Sequence, residues 1–452
     1  MSFRGFRGKT RENMKELAKI TQKEFSQRRK ELIEQIGNDA IAIIPSAEVK
    51  HRNSDAEFTF RQSSDFLYLT GFNEPKAVAV LLPGRDESEY ILFCREKDTK
   101  TEQWTGRMVG LDGAVENYNA DDAFPIDDID EILPSLMENR SKVYYSVGNN
   151  PDFDKQVISW VNSLRAKVRN GVQAPHEFIS LDRFLHEMRL FKSPQEQKLM
   201  RDAGAVSVEA HKRAMKACKP DMMEYEIEAE YLHEFKKSGM EVAYTTIVGG
   251  GEWGCILHYI ENNDVLKDKE LLLIDAGAEN QGYASDITRT FPINGKFTEA
   301  QRQLYQIVLD AQYAAIEQCQ PGKRWIDPHD AAVRVITAGL VELGLLEGDI
   351  EELIAENKYF PFYMHKTGHW LGLDVHDVGD YKIDDEWREL EAGMTLTVEP
   401  GIYVSPSDDV DEKWWNIGIR IEDDVLITKN GHEVLTKNLI KEVDDIEAWM
   451  AG

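Results

Sequence analysis

Long apolar runs are missing from this chain of 452 residues. None approaches the roughly 18 residues that a membrane-spanning helix needs, so no transmembrane segment is expected. The N-terminal MSFRGFRGKTRENMKELAK is locally basic but has no apolar core, so no secretory signal is expected either. Cysteine is scarce: Cys94, Cys218, Cys255 and Cys319 lie far apart and match no zinc spacing. Reduced thiols and a cytoplasmic location are the expectation. Basic residues are outnumbered, 53 Lys and Arg against 81 Asp and Glu, for a formal charge of −28. That balance argues against nucleic acid and anionic membranes as partners. The helical zinc-protease pattern is absent too. His-Glu pairs begin at His176, His186, His233 and His432, and none has a second histidine four residues on.

What is present is enough apolar material, 42% of residues, for two or three domain cores. Residues 1–20 read as an extension. Residues 21–37 read as an amphipathic helix closed by Gly37. The apolar runs Ala40–Ile44, Ala77–Leu82, Tyr90–Cys94 and Val143–Val147 then suggest a mixed α/β domain over 21–176. A second domain, 177–452, is heralded by Ser193-Pro194-Gln195-Glu196, which fits an N-cap, a first-turn proline and a capping-box glutamate. That helix stops at Lys219-Pro220, and Met223–Lys237 forms another. Tyr244–Val248, Gly249–Gly254 and Cys255–Tyr259 read as strand, loop, strand. Thr298-Glu299-Ala300-Gln301 and Asp327-Pro328 open two further helices, and the last hundred residues are rich in strands and turns. The order suggests a pseudo-duplicated α+β unit.

The stretch Leu271–Pro292, LLLIDAGAENQGYASDITRTFP, sets Asp275 and Asp286 at the two ends of what reads as a tight hairpin. Facing carboxylates at the end of a buried strand are costly unless something positive lies between them. A divalent cation is one solution. Downstream, HKTGHWLGLDVHD places His365, His369 and His376 in one glycine-interrupted segment, and histidine serves both metal binding and proton transfer. TVEPG leaves Glu399 at a strand end. GIRIED puts Arg420 and Glu422 on one strand face, opposite Ile419 and Ile421. His258 closes another strand-like run. GGGEWG (Gly249–Gly254) formally matches a dinucleotide fingerprint, but no helix pattern follows it, so it reads as a tight loop beside a pocket. Two aspartates, at least one histidine and two glutamates suit two divalent cations, with manganese favoured by the oxygen-rich set. Two such ions roughly 3.5–4 Å apart can lower the pKa of a shared water toward about 7 and polarise a carbonyl. That is equipment for hydrolysis.

These segments, with TVEPGIY, GIRIEDD, VGGGEWGCILHY and FRQSSDFLYLTGFNEP (Phe60–Pro75), resemble the signatures of the pita-bread metallopeptidases, and within them the aminopeptidase P branch. The resemblance spans about Thr21 to the end. It implies an α/β N-terminal domain and an α+β pita-bread catalytic domain. It also implies hydrolysis of the bond between an N-terminal residue and proline in second position, with prolidase activity on Xaa-Pro dipeptides as the nearest alternative. Organophosphate hydrolysis as a side reaction, or a non-catalytic binding protein on the same fold, are the remaining ones. On this resemblance Asp275, Asp286, His369, Glu399 and Glu422 hold two metal ions, bridged by Asp286 and Glu422. His258, His365 and His376 surround the substrate. Glu399 also relays the proton from the bridging water to the leaving nitrogen, and Arg420 holds Asp275. Tyr244 and Trp104 are implied walls of the substrate pocket, Trp104 facing a neighbouring subunit's site. A homodimer or homotetramer is implied as well.

Overall fold

The computed structural model describes residues 19–452. The expected extension at 1–20 therefore lies, apart from its last two residues, outside the described residues. Thr21 caps the first helix, Gln22–Ile36, by accepting from the Glu24 amide, and Gly37 at φ 77° ends it. The strand Ala40–Pro45 follows and is buried on both faces. Ala40, Ala42 and Ile44 pack with Leu32, Ile36 and Phe66, whereas Ile41 and Ile43 pack with Leu133, Val157 and Trp160. A strand covered on both sides needs apolar residues at every position, which is why these segments read as continuous runs.

Six strands form this first sheet, in the order Asp122–Pro125, Tyr90–Cys94, Val78–Leu81, Ala40–Pro45, Lys142–Tyr144, Glu177–Ile179. The pairing is mixed: Ala40–Pro45 runs antiparallel to Val78–Leu81 and parallel to Lys142–Tyr144. The two edge strands are short and partly polar, and no apolar run announces them. The last edge strand carries the sheet to Ile179, past the division expected after His176.

The remainder is α+β. Ser193 and Glu196 cap Pro194–Ala217 reciprocally, and Thr298 and Gln301 do the same for Glu299–Gln318. Each long helix has a partner, Glu224–Lys237 and Asp327–Glu342. Each pair precedes short buried strands: Ile247–Gly250, Leu271–Asp275 and Thr288–Pro292 in the first half, Thr395–Val398, Gly401–Val404, Ile417–Arg420 and Asp423–Thr428 in the second. The halves are joined where the Glu422 amide donates to the Thr288 carbonyl and Thr290 Oγ1 to the Arg420 carbonyl, both at 3.0 Å. No helix among the described residues is long and apolar enough to cross a membrane.

Two local expectations are corrected. Cys255–Tyr259 is not a strand: Gly251–Cys255 forms a 3-10 turn. Gly251 adopts φ 54°, and a Cβ on Gly249 would meet the Trp253 backbone at 2.9 Å, so the chain folds back on itself there. The supposed single hairpin is two. Asp275 pairs with Thr288, while Ala278–Asn280 and Tyr283–Ala284 form a separate ribbon with Glu241–Val242. Asp286 thus stands two residues ahead of the position facing Asp275.

Candidate metal centre

Five acidic and imidazole side chains converge at the joint between the two halves. Tyr244 Oη lies 2.6 Å from Asp275 Oδ1 and 2.5 Å from Asp286 Oδ1, and its single proton serves one of them at a time. Arg420 donates to Asp275 Oδ2 at 2.7 Å. The Asp286 amide donates to Asp424 Oδ1 at 3.1 Å, which fixes the start of its strand. Glu399 follows Thr395–Val398 and accepts from Thr397 Oγ1 at 3.2 Å. Glu422, 1% exposed, accepts from Thr288 Oγ1 at 2.7 Å. His369 Nδ1 donates to the Trp370 carbonyl at 2.9 Å, which turns Nε2 toward Asp286 Oδ2 (3.3 Å) and Glu399 Oε1 (3.6 Å). One ligand atom from each of Asp286, His369 and Glu422 lies within 4.8 Å of the others.

The electrostatics describe a cluster short of positive charge. Burial and the charge of Asp286 push Asp275 up to about 6, against the pull of Arg420. Burial, Asp286 and Asp275 push Glu399 up to about 7, and the same crowding puts Glu422 well above the usual carboxylate range. Burial would raise Asp286 too, but the hydrogen bond and charge of His369 hold it below its ordinary value. His369 in turn is raised to about 9 despite burial, by Asp286 and Glu399. An imidazolium is standing where the cluster wants a cation. A divalent metal satisfies the same oxygens and replaces that proton, so the donor set fits one. The cluster is a metal-binding site of aspartate, histidine and glutamate.

The three remaining histidines differ. His365 is half-buried, and desolvation and the Arg420 charge shift it down to about 3, hence neutral. Its Nδ1 donates to the Lys366 carbonyl (2.8 Å), and Nε2 accepts from Tyr403 Oη (2.9 Å), which itself accepts from Arg420 Nη1 (3.1 Å). With both nitrogens engaged, His365 offers a substrate only its ring. His376 and His258 are exposed. The His376 ring stands edge-on to His369 with centroids 4.3 Å apart, and burial and His369 lower its pKa. Tyr244 is half-buried and kept protonated by desolvation of its hydroxyl and by the adjoining aspartates. Trp104 is not brought to this cluster: it is 88% exposed on the helix Thr99–Thr105 of the N-terminal domain. The sequence patterns do not single out Tyr403, Thr288 or Asp424, although all three lie inside the motifs that carry the site.

A cleft of about 700 Å³ runs from His376 between the domains, lined by 58–64 on one side and by Glu241, Val242, Ala243 and Leu373–His376 on the other.

A metal-binding cluster beside His376, whose side chain lines the cleft, on an α+β domain preceded by an α/β domain, defines a metallohydrolase of two-domain type. Residues 198–429 match the model of metallopeptidase family M24, and 25–144 match the N-terminal domain of aminopeptidase P. The chain is 46% identical over 438 residues to the Xaa-Pro aminopeptidase of Escherichia coli, covering 96% of this chain and 99% of that one. The structure of Pseudomonas aeruginosa aminopeptidase PepP superposes with a TM-score of 0.95 at 55% identity, covering 96% of this chain and 99% of that one. Zinc-substituted Escherichia coli aminopeptidase P, solved with product, gives 0.94 at 46% identity with the same coverage. The chain belongs to metallopeptidase family M24. Its catalytic domain has the pita-bread fold expected from the sequence, joined to an aminopeptidase P type N-terminal domain.

Proposed function

We propose that this chain is a metal-dependent aminopeptidase that releases the N-terminal residue from peptides with proline in second position. The observation that carries the reading is the buried Asp286, His369 and Glu422 cluster, with Asp275 and Glu399 beside it and a cleft leading to His376. We assign Asp275, Asp286, His369, Glu399 and Glu422 as ligands of two divalent cations, with Asp286 and Glu422 shared. Manganese is preferred for so oxygen-rich a set. When bound, such ions polarise a carbonyl and make water acidic enough to attack near neutrality.

The protein's own groups do the rest. Glu399, at the end of the strand Thr395–Val398 and facing His369, takes the proton of the attacking water and returns it to the leaving nitrogen. Arg420 fixes one oxygen of Asp275 and, through Tyr403, the tilt of the His365 ring. His376 at the cleft and the exposed His258, close enough for its charge to act on both His365 and His376, hydrogen-bond the peptide around the scissile bond. Proline suits this arrangement. A Xaa-Pro bond has no N–H for a peptidase to grip and carries a fixed φ. A site that acts on the carbonyl and protonates the ring nitrogen does not need that grip.

The test uses protein stripped of metal and reloaded with manganese, incubated with Xaa-Pro-Yaa, Xaa-Pro and Xaa-Ala-Yaa, with products read by mass spectrometry. Release of Xaa from the proline tripeptide, with little from the other two, is expected. Cleavage of the dipeptide alone would make the protein a prolidase. A cytoplasmic homodimer or homotetramer is part of the same proposal, and light scattering showing a stable monomer would refute the assembly.

A further inference from the structure

One motif has no part in the chemistry above: Phe60–Asp65, FRQSSD, of the N-terminal domain. Two of its side chains, Arg61 and Ser64, reach the loop that carries His376, and a third, Asp65, reaches it through Arg189. Arg61 donates to the Leu373 carbonyl at 2.6 Å, and Ser64 Oγ to Asp374 Oδ1 at 2.6 Å. Asp65 acts through Arg189, a guanidinium 3% exposed that donates to Asp65 Oδ1 (2.8 Å), Asp374 Oδ2 (2.7 Å) and Asp377 Oδ1 (2.5 Å). Lys192 takes the other oxygen of Asp377 at 3.0 Å. Packing tells the same story. Leu371 and Leu373 sit in the apolar cluster of Phe66 and Leu69, whereas Trp370, Leu396 and Ile421 pack in the catalytic core. The loop leaves the catalytic core after Trp370 and lies at the seam of the two domains, held by Arg61 and Ser64 from the N-terminal side and by Arg189, Lys192 and the Ala284 amide from the catalytic side. Yet the His376 ring returns to within 4.3 Å of the His369 ring, centroid to centroid.

We infer that the domain seam is a positioning device for His376, with Ser64 and Asp65 of the N-terminal domain, acting directly and through Arg189 of the catalytic domain, setting the ring against the metal centre. These are positioning residues, since none touches the cluster. A group held by packing and charge-assisted hydrogen bonds loses catalytic effect steeply when its support loosens. This inference rests on the aminopeptidase reading, so its test has one arm that needs no turnover. Full-length, manganese-loaded Ser64→Ala and Asp65→Asn are compared with wild type, each also in a His376→Ala background. Each is expected to lower kcat about tenfold with KM within about twofold and metal content unchanged. In the His376→Ala background the same changes should cost less than about twofold, because their route of action is gone. Equal losses in both backgrounds would overturn the inference, as would undiminished kcat in both single variants. Hydrogen exchange of residues 371–377 supplies the second arm: faster exchange in the variants is expected, and unchanged exchange would refute the clamp even in a protein inactive on every proline peptide.

Discussion

Replacing Glu422 by glutamine should have opposite consequences with and without metal. The ligand atoms of Asp286, His369 and Glu422 lie within 4.8 Å of one another. Two like charges at that separation repel by about 3.5 kcal/mol at an effective dielectric constant of about 20. Burial and the charges of Asp286, Glu399 and Asp275 raise the Glu422 carboxyl well above its ordinary value, which favours the neutral acid in the metal-free protein. Glutamine is nearly isosteric with that neutral acid and still accepts from Thr288 Oγ1. The metal-free variant should therefore unfold within about 1 kcal/mol of metal-free wild type. With metal the balance reverses. Losing a carboxylate shared by two ions should weaken binding by at least about 100-fold. At a free metal concentration about 100 times the wild-type Kd, wild type gains about 2.7 kcal/mol and the variant about 0.4 kcal/mol. For 452 residues, at about 2.1 cal/mol/K of unfolding entropy each, the gap of about 2.3 kcal/mol amounts to about 2–3 °C in Tm. Calorimetry on both proteins, stripped and then titrated with manganese, reads it directly, and peptidase activity should be lost in the variant. A variant whose Tm climbs with manganese as wild type's does would refute the ligand assignment.

His376→Ala should retain metal by elemental analysis while losing about 100-fold in kcat; an emptied site would make His376 a ligand instead. Acid stability should depend on Asp423, which is fully buried against Arg289 at 2.7 Å and Lys441 at 2.8 Å. Burial would raise its carboxyl, but those two cations hold it well below the ordinary range. A depressed folded pKa means the stabilisation is complete above the unfolded value of about 3.9 and drains away as pH falls below it. Asp423→Asn should thus be about 3–5 kcal/mol less stable than wild type at pH 7, and the gap should narrow below about pH 4. Parallel pH profiles of the two proteins in denaturant melts would contradict this.

Much of the site was legible because its residues sit where local patterns end. Asp275 terminates an apolar run, Glu399 precedes a proline after one, and Glu422 shares the alternation of Arg420. In the structure Asp275 ends a strand, Glu399 follows one, and Glu422 lies in the two-residue link between Ile417–Arg420 and Asp423–Thr428, so the expected shared strand face of Arg420 and Glu422 is interrupted there. The capping boxes at Ser193 and Thr298 were equally plain, since both partners are local. What escaped was non-local. Tyr403 matters only because Arg420 and His365 meet it from other segments. The 3-10 turn at Gly251–Cys255 depends on a close backbone approach that an apolar string such as CILHY does not disclose. The edge strands Asp122–Pro125 and Glu177–Ile179 are defined by their neighbours in the sheet, not by their own composition.

The seam between the two halves of the catalytic domain also bears on the order of events in time. Asp275 and Asp286 precede it in the chain, and His369, Glu399 and Glu422 follow it. Neither half can complete the cluster, and the backbone link from Glu422 to Thr288 is part of what holds the two sets of carboxylates face to face. Contacts so distant in sequence are made late in folding. An ion that needs both halves therefore has little to grip in the transition state. It acts as a latch on the finished molecule: added metal should slow unfolding in a stopped-flow chevron and leave the refolding limb where it was. A refolding rate that rises with manganese would mean that one half captures the ion early and the other closes over it.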